Sequence, residues 1–262
     1  MKRGENLDQE LHPFILNTIP KSGTHLLKQL LLGMNPNVIT NNPHHVLYGA
    51  PEFNKNEDIE RLNHMEANQF IHGHFYYMHF WKDLFDKNDL KQIFLIRDLR
   101  DIVLSYSYFI DKLPNHPLFK SFYENQTSTQ DRCLTLINGM TDPKLNLVYP
   151  SIDTWFGSFQ GWMELSNVLT VKYEDLNPSH PACDETLERI IAFLWEDGPM
   201  PMNKDEMIKQ MIQSINPKSS PTFRKGKSGG WMNEFDKRCK HAFKERAGQI
   251  LIDLGYEHDM EW

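Results

Sequence analysis

The chain has 262 residues, 40% hydrophobic and 24% charged, with a formal net charge of −7. That length accommodates one large α/β domain with a sizeable buried core, and the acidic balance argues against a nucleic-acid partner, which needs a basic surface. The three cysteines, Cys133, Cys183 and Cys239, are scattered and form no Cys-x-x-Cys pair, so neither a disulfide framework nor a zinc ribbon is expected.

The first ten residues start positive but lead into no apolar run, so no signal peptide is expected. Phe14 to Ile19 is a short apolar run ending at Pro20 and Gly23, the pattern of a buried strand and a turn. Leu26, Leu27, Leu30, Leu31 and Met34 then recur at helical spacing; Lys28 and Gln29 interrupt the stretch, which is too short to span a bilayer. Gln69 to Phe75 reads as a second strand and Gln92 to Ile96 as a third, with Arg97 at its carboxyl end. Ile102, Val103, Tyr106, Phe109, Ile110 and Leu113 mark an amphipathic helix. A helix near Trp155 to Leu165, a strand from Asn167 to Lys172 and a helix from Asp184 to Trp195 follow. Residues 204–215 and 236–254 also read as helices, and Asn216 to Asn233, rich in Pro, Ser, Gly, Lys and Arg, as a long loop. Strands alternating with helices predict an α/β fold, with a mainly parallel central sheet flanked by helices over a single domain of residues 1–262. Ligands of such sheets sit beyond the carboxyl ends of the strands, where the Lys21 loop, Arg97 and Tyr173 fall.

Three segments carry anion chemistry. In Ile19-Pro20-Lys21-Ser22-Gly23-Thr24, the glycine permits close backbone approach and the next helix presents unpaired N–H groups, with His25 in its first turn. Lys21 adds a charge, and Ser22 and Thr24 add hydroxyls. An ATP-type P-loop needs Gly, four residues, then Gly-Lys-[Ser/Thr]; here the lysine precedes the loop's only glycine, so that reading fails on spacing. Arg97 at a strand end, with Ser105 about two helical turns into the next element, suits a phosphate monoester; the alternative is a surface Arg97–Asp101 pair supporting the helix. Phe223-Arg224-Lys225-Gly226-Lys227-Ser228-Gly229-Gly230-Trp231 places three cations among glycines, either a solvated basic loop or one that folds over an anion.

Together these segments resemble the cytosolic-type sulfotransferase family, whose fold carries a P-loop-like strand–loop–helix. Pro20 to Thr24 is similar to its 5′-phosphosulfate loop, and Arg97 with Ser105 to its 3′-phosphate motif. Arg224-Lys225-Gly226, followed by Gly229 and Trp231, resembles its C-terminal Arg-Lys-Gly-x-x-Gly-x-Trp signature, and Val171 to Asp175 the strand whose tyrosine, here Tyr173, reaches the adenine. The motifs occur in family order across residues 20–235. The resemblance implies 3′-phosphoadenosine 5′-phosphosulfate as co-substrate, with Lys21, Ser22, Gly23, Thr24, His25, Arg97, Ser105, Tyr173, Phe223, Arg224, Lys225 and Gly226 contacting it, and in-line transfer of its sulfuryl group to a hydroxyl or amine.

His74 lies where the family carries its catalytic histidine, and Lys21 would stabilise charge on the departing phosphate oxygen. His72 stands where the family often has a lysine, and it shares a strand face with His74. No third ligand of recognisable spacing accompanies them, so no metal is expected. Leu26 replaces the tryptophan that commonly stacks on adenine, a role open to Phe223 or another aromatic; the family's dimer motif is absent after Trp231, which leaves the oligomeric state open. Phe75 to Trp81 is either a wall of an acceptor pocket or plain core, and Asn115 to Met140 is a second candidate acceptor segment. A small soluble acceptor, such as a natural product, and a cytoplasmic location away from membranes are the expectations. Two rivals remain: a nucleotide-dependent kinase, which needs a Walker-type loop and acidic Mg²⁺ ligands, and a catalytically silent nucleotide-binding protein.

Overall fold

The computed structural model describes residues 10–42, 46–49, 56–125, 128–196, 200–219, 226 and 228–262. Two compact units emerge, one of Met1–Ile96 with Gln160–Pro221 and one of Arg97–Phe159 with Thr222–Trp262. In chain order the first unit begins with β1 (Phe14–Thr18), α1 (Thr24–Leu32), β2 (Ile39–Thr40), β3 (Leu47–Tyr48), α2 (Asn56–Asn63), β4 (Gln69–His74), α3 (His79–Lys87) and β5 (Lys91–Ile96). The second unit then supplies α4 (Leu99–Ile110), α5 (Pro117–Asn125), α6 (Thr129–Asn138), β6 (Met140–Asp142), β7 (Leu147–Tyr149) and α7 (Ile152–Gln160), the last reaching the boundary. The chain returns to the first unit for β8 (Val168–Lys172), α8 (Cys183–Leu194) and α9 (Lys204–Gln213), and closes in the second with α10 (Trp231–Glu234) and α11 (Lys237–Asp253).

The first unit holds a parallel sheet in the order β2-β4-β1-β5-β8, with β3 also on β4. Every residue of β1 is buried, as its continuous apolar run requires of a strand covered on both faces. Phe14 and Leu16 alternate onto one face, where α1 (Leu27, Leu30, Leu31), α8 (Leu187, Ile190, Ile191) and α9 (Met207, Met211) join them in one core. Each such side chain contributes about 1.5–3 kcal/mol by leaving water. Asn17 points the other way and exchanges two hydrogen bonds with the Phe75 backbone, donating through Nδ2 at 3.1 Å and accepting through Oδ1 at 2.9 Å. That clamp fixes the end of β4 beside β1.

Phe75 and Trp81 are fully buried and meet edge to face, and Trp162 donates Nε1–H to the Phe75 carbonyl at 2.8 Å. For these two aromatics of the Phe75–Trp81 stretch, the plain core explanation therefore holds.

In the second unit α6 packs on both α4 and α11, and α10 packs on α4. Asp98, Ser128 and Asp236 cap α4, α6 and α11 by accepting from the amides of Arg100, Asp131 and Cys239. The Asn115–Met140 segment proves to be mainly α5 and α6, leading into the antiparallel β6–β7 hairpin. The loop expected from Asn216 to Asn233 is shorter than its composition suggests, because Pro217–Ser219 makes a 3₁₀ turn and Trp231 already opens α10. Its end is ordered by the Asp101 carboxylate, which accepts from the amides of Gly229 at 2.7 Å and Trp231 at 3.2 Å.

Candidate active site

The strand–loop–helix expected around Lys21 is present: β1 ends at Thr18 and α1 begins at Thr24. The loop between them is tightly wound. Ile19 donates to the Leu95 carbonyl at 3.2 Å and Ser22 back to Ile19 at 3.0 Å. Lys21 takes φ 71° and Gly23 φ 109°, a region that excludes most side chains at the glycine. A Cβ on Gly23 would stand 2.3 Å from Cδ2 of Tyr173. The tyrosine that follows β8 therefore lies directly on the loop glycine, so two of the predicted nucleotide contacts come together here.

Ser22 is fully buried, and its hydroxyl finds no hydrogen-bond partner among the described residues. A buried, unsatisfied hydroxyl costs about 1–3 kcal/mol, a cost an anion on this loop removes. The hydrogen-bond ladder of α1 opens with the amides of Leu26 and Leu27 on the Gly23 carbonyl, so the amides of Thr24 and His25 precede it at the positive end of the helix dipole. His25, in that turn, is held below its ordinary pKa first by burial, then by Lys28 and Lys21.

His74, the last residue of β4, is almost wholly buried. Its Nδ1 lies 2.7 Å from the Thr18 carbonyl oxygen and 3.0 Å from the Thr18 hydroxyl. An unprotonated Nδ1 would set a lone pair against that carbonyl oxygen, so the neutral ring carries its proton on Nδ1 and its basic lone pair on Nε2. Burial, partly opposed by the Thr18 bond and reinforced by Lys21 and His25, lowers the His74 pKa to about 4. The imidazole is thus neutral at pH 7. Tyr48 stands edge-on to it, ring centres 5.3 Å apart.

His72, two residues earlier, has its Nδ1 3.1 Å from the Thr40 hydroxyl, and Asn42 bonds both its amide and its carbonyl. Thr40 in turn donates to Asn42 Oδ1 at 3.1 Å. His72 is tied into the β2 edge by this network. Among the described residues no group of three or more His, Cys, Asp or Glu side chains could hold a metal.

The second unit carries the other expected anion residues. Arg97 precedes the Asp98 cap of α4, and Ser105 is half-buried on that helix. The Arg97–Asp101 pair weighed as the bland alternative does exist, at 3.6 Å, but neither side chain is on the surface, with 12% and 2% exposed. Burial pushes the Asp101 carboxyl up, while Arg97 and the amides of Gly229 and Trp231 pull it down. Asp101 therefore joins Arg97 to the Gly229–Trp231 end of the C-terminal motif.

Beside it Arg100, 2% exposed, pairs with Asp98 at 2.7 Å and with Glu257. Its guanidinium lies over the rings of Trp231 at 3.7 Å and Trp262 at 4.4 Å. Phe223, Arg224 and Lys225 lie outside the described residues; Gly226 is exposed with φ 60°.

Sequence reasoning had no means of singling out Thr18, Tyr48 or Arg100. Thr18 reads as one more strand residue, Tyr48 sits on a two-residue strand, and the partners of Arg100 other than Asp98 lie more than 130 residues along the chain.

Comparison with known proteins agrees with the fold. Residues 11–255 match the family model described as the sulfotransferase domain. The chain is 24% identical over 279 residues to sulfotransferase 1 family member D1 of Rattus norvegicus, covering 92% of this chain and 84% of that one. It is 25% identical over 231 residues to sulfotransferase 1E1 of Mus musculus, covering 79% and 71%. Among solved structures, mouse sulfotransferase SULT7A1 complexed with PAP superposes with a TM-score of 0.66 at 21% identity, over 93% of this chain and 86% of that one. Retinol dehydratase in complex with retinol and PAP gives a TM-score of 0.59 at 16% identity, over 92% and 82%. No helix among the described residues is long and apolar enough to cross a membrane. With a family match that runs from residue 11 to residue 255, the chain belongs to the sulfotransferase family.

Proposed function

We propose that residues 1–262 act as one sulfotransferase domain, moving the sulfuryl group of 3′-phosphoadenosine 5′-phosphosulfate to a hydroxyl or amine of a small soluble acceptor. The observation that carries the reading is the His74 tautomer: a neutral imidazole whose only proton is engaged at Nδ1, leaving Nε2 as a base, hydrogen-bonded to the strand that feeds the anion loop. In the reaction Nε2 takes the acceptor proton as the new bond to sulfur forms. The bond from sulfur to the 5′-phosphate oxygen breaks in line, and its electron pair leaves with 3′-phosphoadenosine 5′-phosphate. Such a base contributes about 10²–10⁴-fold in rate. Lys21, the hydroxyls of Ser22 and Thr24, and the amides of Gly23 and His25 meet the charge that grows on the departing phosphate.

Arg97 and Ser105, with Arg224, Lys225 and Gly226, take the 3′-phosphate. Tyr173, lying on Gly23, and Phe223 flank the adenine. His72, engaged with Thr40 and Asn42, supports the edge rather than the proton transfer. A kinase reading gains no support, since the loop lacks the Walker spacing.

The test is transfer of label from the donor to a metabolite library, read as a mass gain of one sulfuryl group, in wild type and His74→Ala. Calorimetry with 3′-phosphoadenosine 5′-phosphate, with and without Mg²⁺, accompanies it. Metal-independent binding with transfer lost in His74→Ala is expected. Preference for ATP, or wild-type turnover in the variant, refutes the assignment.

A further inference from the structure

We infer that Thr18 is a positioning residue whose hydroxyl relays the presence of a phosphate on the anion loop to the His74 imidazole. The inference rests on the reading of His74 as the base and goes beyond it, because it says when that base becomes effective. Thr24 Oγ1 lies 2.7 Å from Thr18 Oγ1, which lies 3.0 Å from His74 Nδ1. All three side chains are more than nine-tenths buried, so bulk water offers no competing partner along the line.

Counting protons orients the chain. The ring proton is on Nδ1, so the Thr18 hydroxyl cannot donate there and can only accept a share of that proton alongside the Thr18 carbonyl. Its own proton has two destinations, Thr24 Oγ1 at 2.7 Å or the Gly73 carbonyl at 3.4 Å. Thr24 also has one proton. With no anion present it is free to donate to Thr18, whose proton then turns to Gly73.

A phosphate oxygen at the start of α1 claims the Thr24 proton, because a hydrogen bond to an anion is roughly twice as strong as a neutral one. Thr24 Oγ1 then needs a donor, and Thr18 supplies it. The series becomes Nδ1–H to Thr18, Thr18 to Thr24 and Thr24 to phosphate, with every dipole aligned and each bond polarising the next. Greater pull on Nδ1–H raises the basicity of Nε2. Burial holds the histidine far below its ordinary pKa, so binding of the donor is what makes it competent to take the acceptor proton.

The experiment follows the ¹⁵N resonances of the His74 imidazole through a pH titration, with and without saturating 3′-phosphoadenosine 5′-phosphate, in wild type, Thr18→Val and Thr18→Ser. In wild type and Thr18→Ser the ligand should raise the His74 midpoint by about one unit or more. In Thr18→Val, which keeps the carbonyl and the side-chain volume, only the through-space pull of the anion survives, and at least half of the rise should disappear. Ligand affinity there should stay within about 3-fold, since Thr18 does not touch the phosphate; that is under 1 kcal/mol. An undiminished rise in Thr18→Val overturns the relay while leaving His74 as the base. Full sulfuryl transfer by His74→Ala, or no ligand binding by wild type, overturns the underlying reading and the relay with it. Should Thr18→Val not fold, Thr24→Ala cuts the line at its outer end and carries the same expectation at ligand saturation.

Discussion

The two clusters of site residues are built from different chemistry. Around the Lys21 loop in the first unit the buried polar side chains are the hydroxyls of Thr18, Ser22 and Thr24, the amide of Asn17 and the neutral imidazole of His74. At the start of α4 in the second unit they are ion pairs, with Arg97 on Asp101 and Arg100 on Asp98 and Glu257, the last guanidinium also covered by two indoles. A buried ion is tolerable only when its counter-charge is built in, and losing one partner typically costs about 3–5 kcal/mol. Neutral hydroxyls carry no such obligation and can wait for a ligand to orient them. On the proposed reading, the ionic cluster is compensated before any ligand arrives, whereas the neutral one would be completed by it.

The comparison can be broken most directly at Lys21. Lys21→Ala should lower turnover by about 10²–10³-fold, the usual cost of removing one preorganised contact to developing charge. The folded state should persist, because Lys21 stands on the loop and not in the buried core. Single-turnover rates with labelled donor check this, and near-wild-type chemistry would remove Lys21 from the leaving-group role.

Acid sharpens the contrast further. With His74 at about 4 in the folded chain against an ordinary 6.5, the unfolded chain binds the extra proton between those values. The stability tied to the neutral ring is complete above about pH 6.5 and disappears as pH falls toward 4, a term of about 3 kcal/mol. Urea unfolding at pH 7 and pH 4.5 should show a clearly smaller acid loss for His74→Gln than for wild type. An equal loss would mean that the ring is not kept neutral by burial.

The smallest effect is expected at Arg97. Arg97→Ala should weaken 3′-phosphoadenosine 5′-phosphate by about 10–100-fold, as for one charge-assisted hydrogen-bond contact worth about 1.5–3 kcal/mol, while His74 titration in the free protein stays unchanged. Calorimetry decides it, and an unaltered affinity would refute the phosphate assignment.

Much of this was legible in the chain itself. The strands β1, β4, β5 and β8 are apolar runs of ordinary length, and α1, α4, α8 and α11 carry their apolar residues at helical spacing, so their periods announce them. The parallel arrangement followed from their alternation. What escaped was whatever depends on partners far along the chain. β2 and β3 are two residues each and exist because β4 offers them an edge. Asp101 looks like the start of an i, i+4 pair, yet its other bonds go to residues about 130 positions on. Arg100 has the composition of a surface residue and becomes buried because Trp231 and Trp262 close over it. Thr18 is the subtlest case, since a threonine in a strand carries no mark of the two side chains it will touch.

The routing of the chain has a consequence for how the protein is made. β5 pairs with β8 along Gln92↔Val168 to Ile96↔Lys172, yet residues 97–159 between them belong to the other unit. The sheet therefore cannot gain its last strand, or Tyr173 its place on Gly23, until the ribosome has emitted most of a second unit. That second unit in turn lacks α10 and α11 until residues 231–253 appear. Contacts of such long sequence separation are slow to form, and half-made parallel sheets expose sticky edges meanwhile. Synthesis from the N-terminus completes neither unit before residue 221, and a growing polypeptide must carry an open β5 edge for more than 70 residues.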